Sequence, residues 1–260
     1  MARAVQRGRR ARRKGRTPVT PVVDWGALRG RLVDLSLPVD ERAPAYPGDP
    51  APRLAPWATL ARDGYRVTHL HLGSHQGTHL DAPSHFLEGG DDADAIPLAT
   101  CVGPALCVHL GGKAPGDDIG VADIEPVACA LTPGARLVLR TGWDRSWPAP
   151  EYFTDGPRLT EDLAAWLAAR RLALLGLDLP TPHPWADVDG RIHRRLLSAG
   201  TVLLEGLAHL ERVPQGSFWL SALPLRLGGA DASPVRAIGL VPEPAAETRA
   251  ESAAAGGATP

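Results

Sequence analysis

Five of the nine histidines in this 260-residue chain fall between His69 and His85. One stretch, His75-Gln76-Gly77-Thr78-His79-Leu80-Asp81-Ala82-Pro83-Ser84-His85-Phe86, sets four metal-competent side chains within eleven positions: His75, His79, Asp81 and His85. Imidazole nitrogens beside a carboxylate suit Zn²⁺, Mn²⁺ or Fe²⁺ with positions left open for water or substrate, whereas Ca²⁺ and Mg²⁺ take cages of oxygen alone. Spacing decides whether these groups converge. A continuous helix would place His75 and His79 on one face, but Gly73, Gly77 and Pro83 oppose a helix here. With a bend at Gly77 instead, His75 folds back toward His79, and His79 and Asp81, two apart on extended chain, share a side. Two imidazoles and a carboxylate then meet. His69 and His71 precede the bend, lack this pattern and read as structural residues of a strand.

The elements that must hold this block are legible in outline. Leu32–Leu37 reads as an apolar strand, and the Pro- and Gly-rich stretch 38–56, with its Tyr46-Pro47-Gly48-Asp49 turn, reads as loop. Val67–Leu72 alternates with period two and feeds the histidines. Leu106–Leu110 and Arg136–Arg140 read as strands, the second launched by Pro133-Gly134, and the uncharged run 95–112, broken by Pro97, Gly103 and Pro104, as two short strands about a turn rather than a membrane span. Thr160 caps a helix over 161–171, with Glu161 and Asp162 in its first turn and Leu163, Trp166 and Leu167 on one face. Leu172–Leu179 follows as a buried strand, then a stiff loop at Pro180, Pro182 and Pro184. A second helix runs from an Asp189 cap to about Ala199, ended by Gly200, and Thr201–Glu205 is a strand. Strands alternating with helices in this half indicate an α/β fold, and the strand-rich first half excludes a simple βαβ repeat.

Composition narrows the function classes. Eight positive charges and no acid lie in residues 1–16, so a formal net charge of −1 leaves about −9 on residues 17–260. An acidic body opposes docking on phosphate, and nucleic acid is not expected as a partner; strong, salt-dependent binding through the arm would be the mark of a non-catalytic nucleic-acid protein instead. No apolar segment follows Arg9-Arg10, so no secretion signal is expected. Cys101, Cys107 and Cys129, an odd number without a close pair, fit a reducing compartment, the cytoplasm. At 44% hydrophobic residues the chain can bury one core, which divides it into a basic arm (1–28), a folded domain (29–243) and an Ala/Gly/Pro-rich tail (244–260).

The histidine stretch closely resembles the HxGTHxDAPxHF signature of the cyclase-type metal-dependent hydrolases, the family of bacterial kynurenine formamidases and isatin hydrolases. Tyr46-Pro47-Gly48-Asp49 is similar to that family's PGD loop, Leu139-Arg140-Thr141-Gly142-Trp143 to its RTGW stretch and Leu175-Gly176-Leu177-Asp178 to its GxD strand, so the likeness spans about residues 31–240. His193, with Glu205 twelve residues on, matches the family's distal metal ligands; taken alone, both would pass for a helix-surface histidine and an ordinary strand-end carboxylate. The resemblance implies a single α/β domain with a mixed β-barrel-like sheet core and flanking helices, of the swivelling β/β/α type. It also implies a homodimer or higher assembly and two divalent ions per subunit, Zn²⁺ or Mn²⁺. His75, His79 and Asp81 would hold one ion; Asp81 as a bridge, His193 and Glu205 would hold the other; His85 would stay uncoordinated as acid/base.

Such a site serves hydrolysis of a small amide. A divalent ion lowers the pKa of bound water from 15.7 to about 7 and polarises a carbonyl, and one histidine near its ordinary pKa can take the water proton and return it to the leaving nitrogen. The absence of a GxSxG elbow removes a serine nucleophile. The expected activity is that of an arylformamidase, N-formyl-L-kynurenine to L-kynurenine and formate in tryptophan breakdown, with an isatin-like lactam or lactone hydrolase or a secondary-metabolism cyclase as the alternative. Tyr46, Phe86, Trp143 and Trp185 are candidates for an aromatic pocket. Where many members read SVDP, this chain reads Thr181-Pro182-His183-Pro184, a departure placed beside the pocket that leaves the ligands intact.

Overall fold

The computed structural model describes residues 30–183 and 189–242. The basic arm, the C-terminal tail and Trp185 lie outside them. Thirteen strands are formed: β1 (Gly30–Asp34), β2 (Arg53–Ala58), β3 (Val67–His71), β4 (His79–Asp81), β5 (Val102–His109), β6 (Asp118–Ile119), β7 (Arg136–Arg140), β8 (Arg158–Leu159), β9 (Leu174–Leu177), β10 (Val202–Glu205), β11 (Gly216–Ser221), β12 (Ala232–Pro234) and β13 (Ile238–Pro242). Nine of them make one mixed sheet in the order β1-β13-β11-β5-β7-β9-β10-β4-β12, curled as a half-barrel. The run β5-β7-β9-β10 is parallel and both flanks are antiparallel.

Parallel strands need a crossover, and here the chain supplies helices: α1 (Glu161–Ala168) before β9 and α2 (Arg191–Ser198) between β9 and β10. The Thr160 hydroxyl accepts from the Leu163 amide and starts α1 as its sequence requires. Because helices cover one face and antiparallel strands close over the other, the central strands are apolar on both sides. Leu137, Leu139, Leu175, Leu177 and Leu203 pack toward the helices, while Val138, Leu174, Val202 and Leu204 pack into the opposite cluster. This is why the run 172–179 shows no alternation in the sequence.

Three local expectations change. The run 95–112 is not two strands about a turn; a single helical turn at Leu98–Cys101 leads into one eight-residue strand, β5. Gly103, at φ +144°, bends that strand within its course rather than ending it. At the start of α2, Gly190 rather than Asp189 occupies the capping position, at φ +62°; its α-carbon lies so close to the Phe86 ring that a β-carbon there would overlap it. Outside the main sheet, β2 and β3 form a two-stranded hairpin in which every residue of β3 is exposed.

Candidate metal centre

β4 is the strand on which the site is built. It lies between β10 and β12, and its register sets His79 opposite Glu205 and Asp81 opposite Leu203 and Ala232. Cross-strand partners share a face at a β-carbon separation of about 5 Å, so the Glu205 carboxylate is delivered to the His79 ring. Asp231, one residue before β12, arrives from the other side. Gly77, at φ +67°, turns the chain just before β4 and returns His75 over the strand. The Thr78 hydroxyl fastens this turn, accepting from the Leu37 amide and donating to the Gly206 carbonyl. The backbones meet closely there: a β-carbon on Gly206 would fall 2.6 Å from the Gly77 oxygen.

The side chains gather around Asp81, which is fully buried. Its Oδ1 lies 2.9 Å from His75 Nδ1 and 3.3 Å from His79 Nε2, and its Oδ2 lies 3.7 Å from His193 Nε2. Glu205 closes the ring, 3.5 Å from His79 Nε2 and 3.4 Å from His193 Nε2. His193 stands on the inner face of α2 with Ile192, Leu196 and Leu197, at 5% exposure. The helix-surface reading of that residue in isolation is thereby replaced by a buried one.

Donor chemistry tests whether a cation fits. His79 Nε2, both oxygens of Asp81 and Glu205 Oε1 are buried, and they face only one another and the neighbouring imidazoles, at 2.9–3.7 Å; without a shared proton or a cation, buried polar atoms cost about 1–3 kcal/mol each. Two imidazoles and two carboxylates facing one another satisfy all of them by coordination, and His75, His79 and Asp81 offer ligand atoms within 4.8 Å of one another. The residues fit a divalent cation. In its absence protons take over that role. Although burial disfavours its charge, His79 is pushed up to about 10 by the facing Asp81 and Glu205 carboxylates. Asp81, against a similar burial cost, is held well below the carboxylate range by His75 and His79.

His85 behaves differently. Its ring centroid lies 4.0 Å from that of His75 at a tilt of 40°, and burial holds its pKa below the ordinary histidine value, which favours the neutral form that can accept a proton. The carboxylate that orients it is absent from the sequence-derived set. Asp231 Oδ2 lies 3.0 Å from His75 Nε2 and 3.2 Å from His85 Nδ1, and Ser74 donates to Oδ1 at 2.9 Å. Only the neighbouring Gly228-Gly229 turn marked that position among 29 acidic residues.

His75, His79, His85, His193, Glu205 and Asp231 line a cavity of about 530 Å³, with Asp81 buried behind them. Of the expected aromatics, Tyr46 and Phe86 are in its wall, joined by Trp147, Tyr152 and Phe153 from the segment after β7. Trp143 is not in the wall: its indole Nε1 donates to the Tyr152 carbonyl from behind. Thr181 and His183, where the sequence departs from SVDP, do line the cavity. Burial raises the thiols of Cys101 and Cys107 to about 11 and about 12, so neither supplies a nucleophile.

A family model described as "Putative cyclase" matches residues 33–184. The chain belongs to the cyclase family. A curated kynurenine formamidase of Geobacillus thermodenitrificans is 34% identical over 79% of this chain and 95% of its own length. A solved structure titled as a potential metal-dependent hydrolase with cyclase activity is 29% identical, with a TM-score of 0.69, covering 83% of this chain and all of that one. Isatin hydrolase A of Ralstonia solanacearum shares the fold, with a TM-score of 0.75 at 20% identity over 87% of this chain and 100% of that one. For this cyclase-family chain, family membership and donor chemistry agree on a divalent-metal site.

Proposed function

We propose that the protein is a metal-dependent arylformamidase, hydrolysing N-formyl-L-kynurenine to L-kynurenine and formate in tryptophan breakdown. The observation that carries this reading is His85, its pKa lowered by burial and its Nδ1 held by Asp231, beside a ring of buried imidazoles and carboxylates, in a chain 34% identical to a kynurenine formamidase; His85 would stay off the metal as acid/base. His75, His79, Asp81, His193 and Glu205 would hold the metal, and the two oxygens of Asp81, which face different histidines, favour two ions with Asp81 between them. Zn²⁺ suits this set best and Mn²⁺ is accommodated. When bound, the cation lowers the pKa of water and polarises the formyl carbonyl.

The chain's own groups do the rest. His85 takes a proton from water as its oxygen joins the formyl carbon. It returns that proton to the aryl nitrogen as the C–N bond breaks, giving formate and the free amine. Asp231 fixes the orientation of His85 through Nδ1 and of His75 through Nε2. The aromatic wall formed by Tyr46, Trp147 and Phe153 excludes water and receives a ring.

Formate release from N-formyl-L-kynurenine by Zn²⁺-loaded protein, lost in His85→Ala with metal content unchanged, is the expected result. No formate from any aryl formamide, or an unaltered rate in His85→Ala, refutes the assignment. Isatin belongs in the same assay, because ring opening of that lactam would use the same groups.

The exposed β2–β3 hairpin supports a homodimer or higher assembly. A lone two-stranded hairpin is marginal in water, and this one carries exposed Trp57, Leu60, Tyr65 and Leu70. Three cysteines without disulfides are the support for cytoplasmic placement.

A further inference from the structure

Two residues that line the cavity outside the metal-binding set each carry a buried polar atom without a hydrogen-bond partner: Tyr152, at Oη, and His183, at Nδ1. Tyr152 is the better defined. Its residue is 1% exposed, its ring packs edge-on against Trp147 at 5.4 Å and Phe153 at 5.1 Å, and its backbone carbonyl is anchored by Trp143. Burial, with Asp178 and Glu205 nearby, holds the phenol well above its ordinary pKa. The group is therefore a neutral O–H in an aromatic wall, with no acceptor among the described residues. A tyrosine buried this deeply normally finds a partner, and phenylalanine would fill the same space without leaving a polar atom stranded.

We propose that the Tyr152 hydroxyl is a specificity-determining donor for a hydrogen-bond-accepting oxygen on the aromatic part of the substrate. The scissile carbonyl would have its own electrophile in a cation held by the set that includes Asp81 and Glu205. The aromatic wall faces the ring, and a donor set into that wall reads what the ring carries. The ligand class is an aryl amide bearing a carbonyl beside the nitrogen. This deepens the arylformamidase reading and rests on it.

The test compares wild type and Tyr152→Phe, both loaded with Zn²⁺, on 2-formamidoacetophenone, which has the ring carbonyl, and on formanilide, which lacks it. The expected result is a KM about tenfold higher for the variant on the first substrate, the worth of one neutral hydrogen bond, with kcat little changed and formanilide unaffected. Melting temperature should be unchanged or higher, because the substitution removes an unpaired polar atom. Equal losses on both substrates, no loss on either, or a lower melting temperature would each overturn the proposal. If wild type releases formate from neither compound, the formamidase reading fails separately. The donor is then read from calorimetric binding of 2-aminoacetophenone and aniline: weaker binding of the ketone alone by the variant sustains it, and equal binding by the two proteins overturns it.

Discussion

Asp81 concentrates the site's electrostatics in one side chain, and its neighbours can be probed one atom at a time. Asp231→Asn keeps the shape but weakens the acceptor shared by His75 and His85, and outer partners of ligating histidines are worth about 10- to 100-fold in metal affinity. Competition with a chromogenic chelator should show a loss of that size. A second outcome follows from His79. Its folded pKa of about 10 in the metal-free protein lies above the ordinary 6.5, so the stability it contributes is complete below pH 6.5 and disappears as pH rises toward 10. Metal binding, which displaces protons, strengthens over the same interval. The gap in melting temperature between Zn²⁺-loaded and EDTA-treated protein should therefore widen from pH 6.5 to pH 9, and a constant or shrinking gap would contradict the assignment.

At the scale of elements, β4 is only three residues long, and tertiary ties hold it in place more than its own propensity does. Thr78→Val would strand the Leu37 amide and the Gly206 carbonyl, both buried, at a cost of about 2–4 kcal/mol. Urea unfolding should show that loss together with weaker metal binding, since the same tie sets Glu205 against His79. The sequence made much of this legible. The bend at Gly77, the Thr160 cap and the apolar run of β9 each follow from local chemistry, and the histidine spacing exposed the ligands nearest β4. What local pattern left hidden, and only the family resemblance supplied in the case of Glu205, depends on register. Glu205 meets His79, and Asp231 reaches His85, through pairings across more than a hundred residues, which no local pattern encodes. Trp147, Tyr152 and Phe153 were missed for a related reason: a Pro-broken segment has no period from which its inward face can be read.

Across the whole molecule, two surfaces differ in character. The cavity is polar at its floor and aromatic on its wall, while the hairpin displays Trp57, 69% exposed, and Leu70, 55% exposed, to solvent. Sedimentation should find an oligomer for the intact protein, and the double substitution Trp57→Ser with Leu70→Asp should shift it toward monomer without changing metal content; a monomeric wild type would dismiss the hairpin as an interface.

The buried ligand cluster has a consequence for the cell as well as for the flask. A folded chain whose central imidazoles and carboxylates are satisfied only by shared protons or by a cation draws part of its stability from that cation. During metal scarcity a larger share of the population opens, and open chains are what proteases remove. The amount of this protein, and not only the activity of each copy, should then track divalent metal supply, so that the catalytic centre doubles as a gauge of whether the chain is worth keeping.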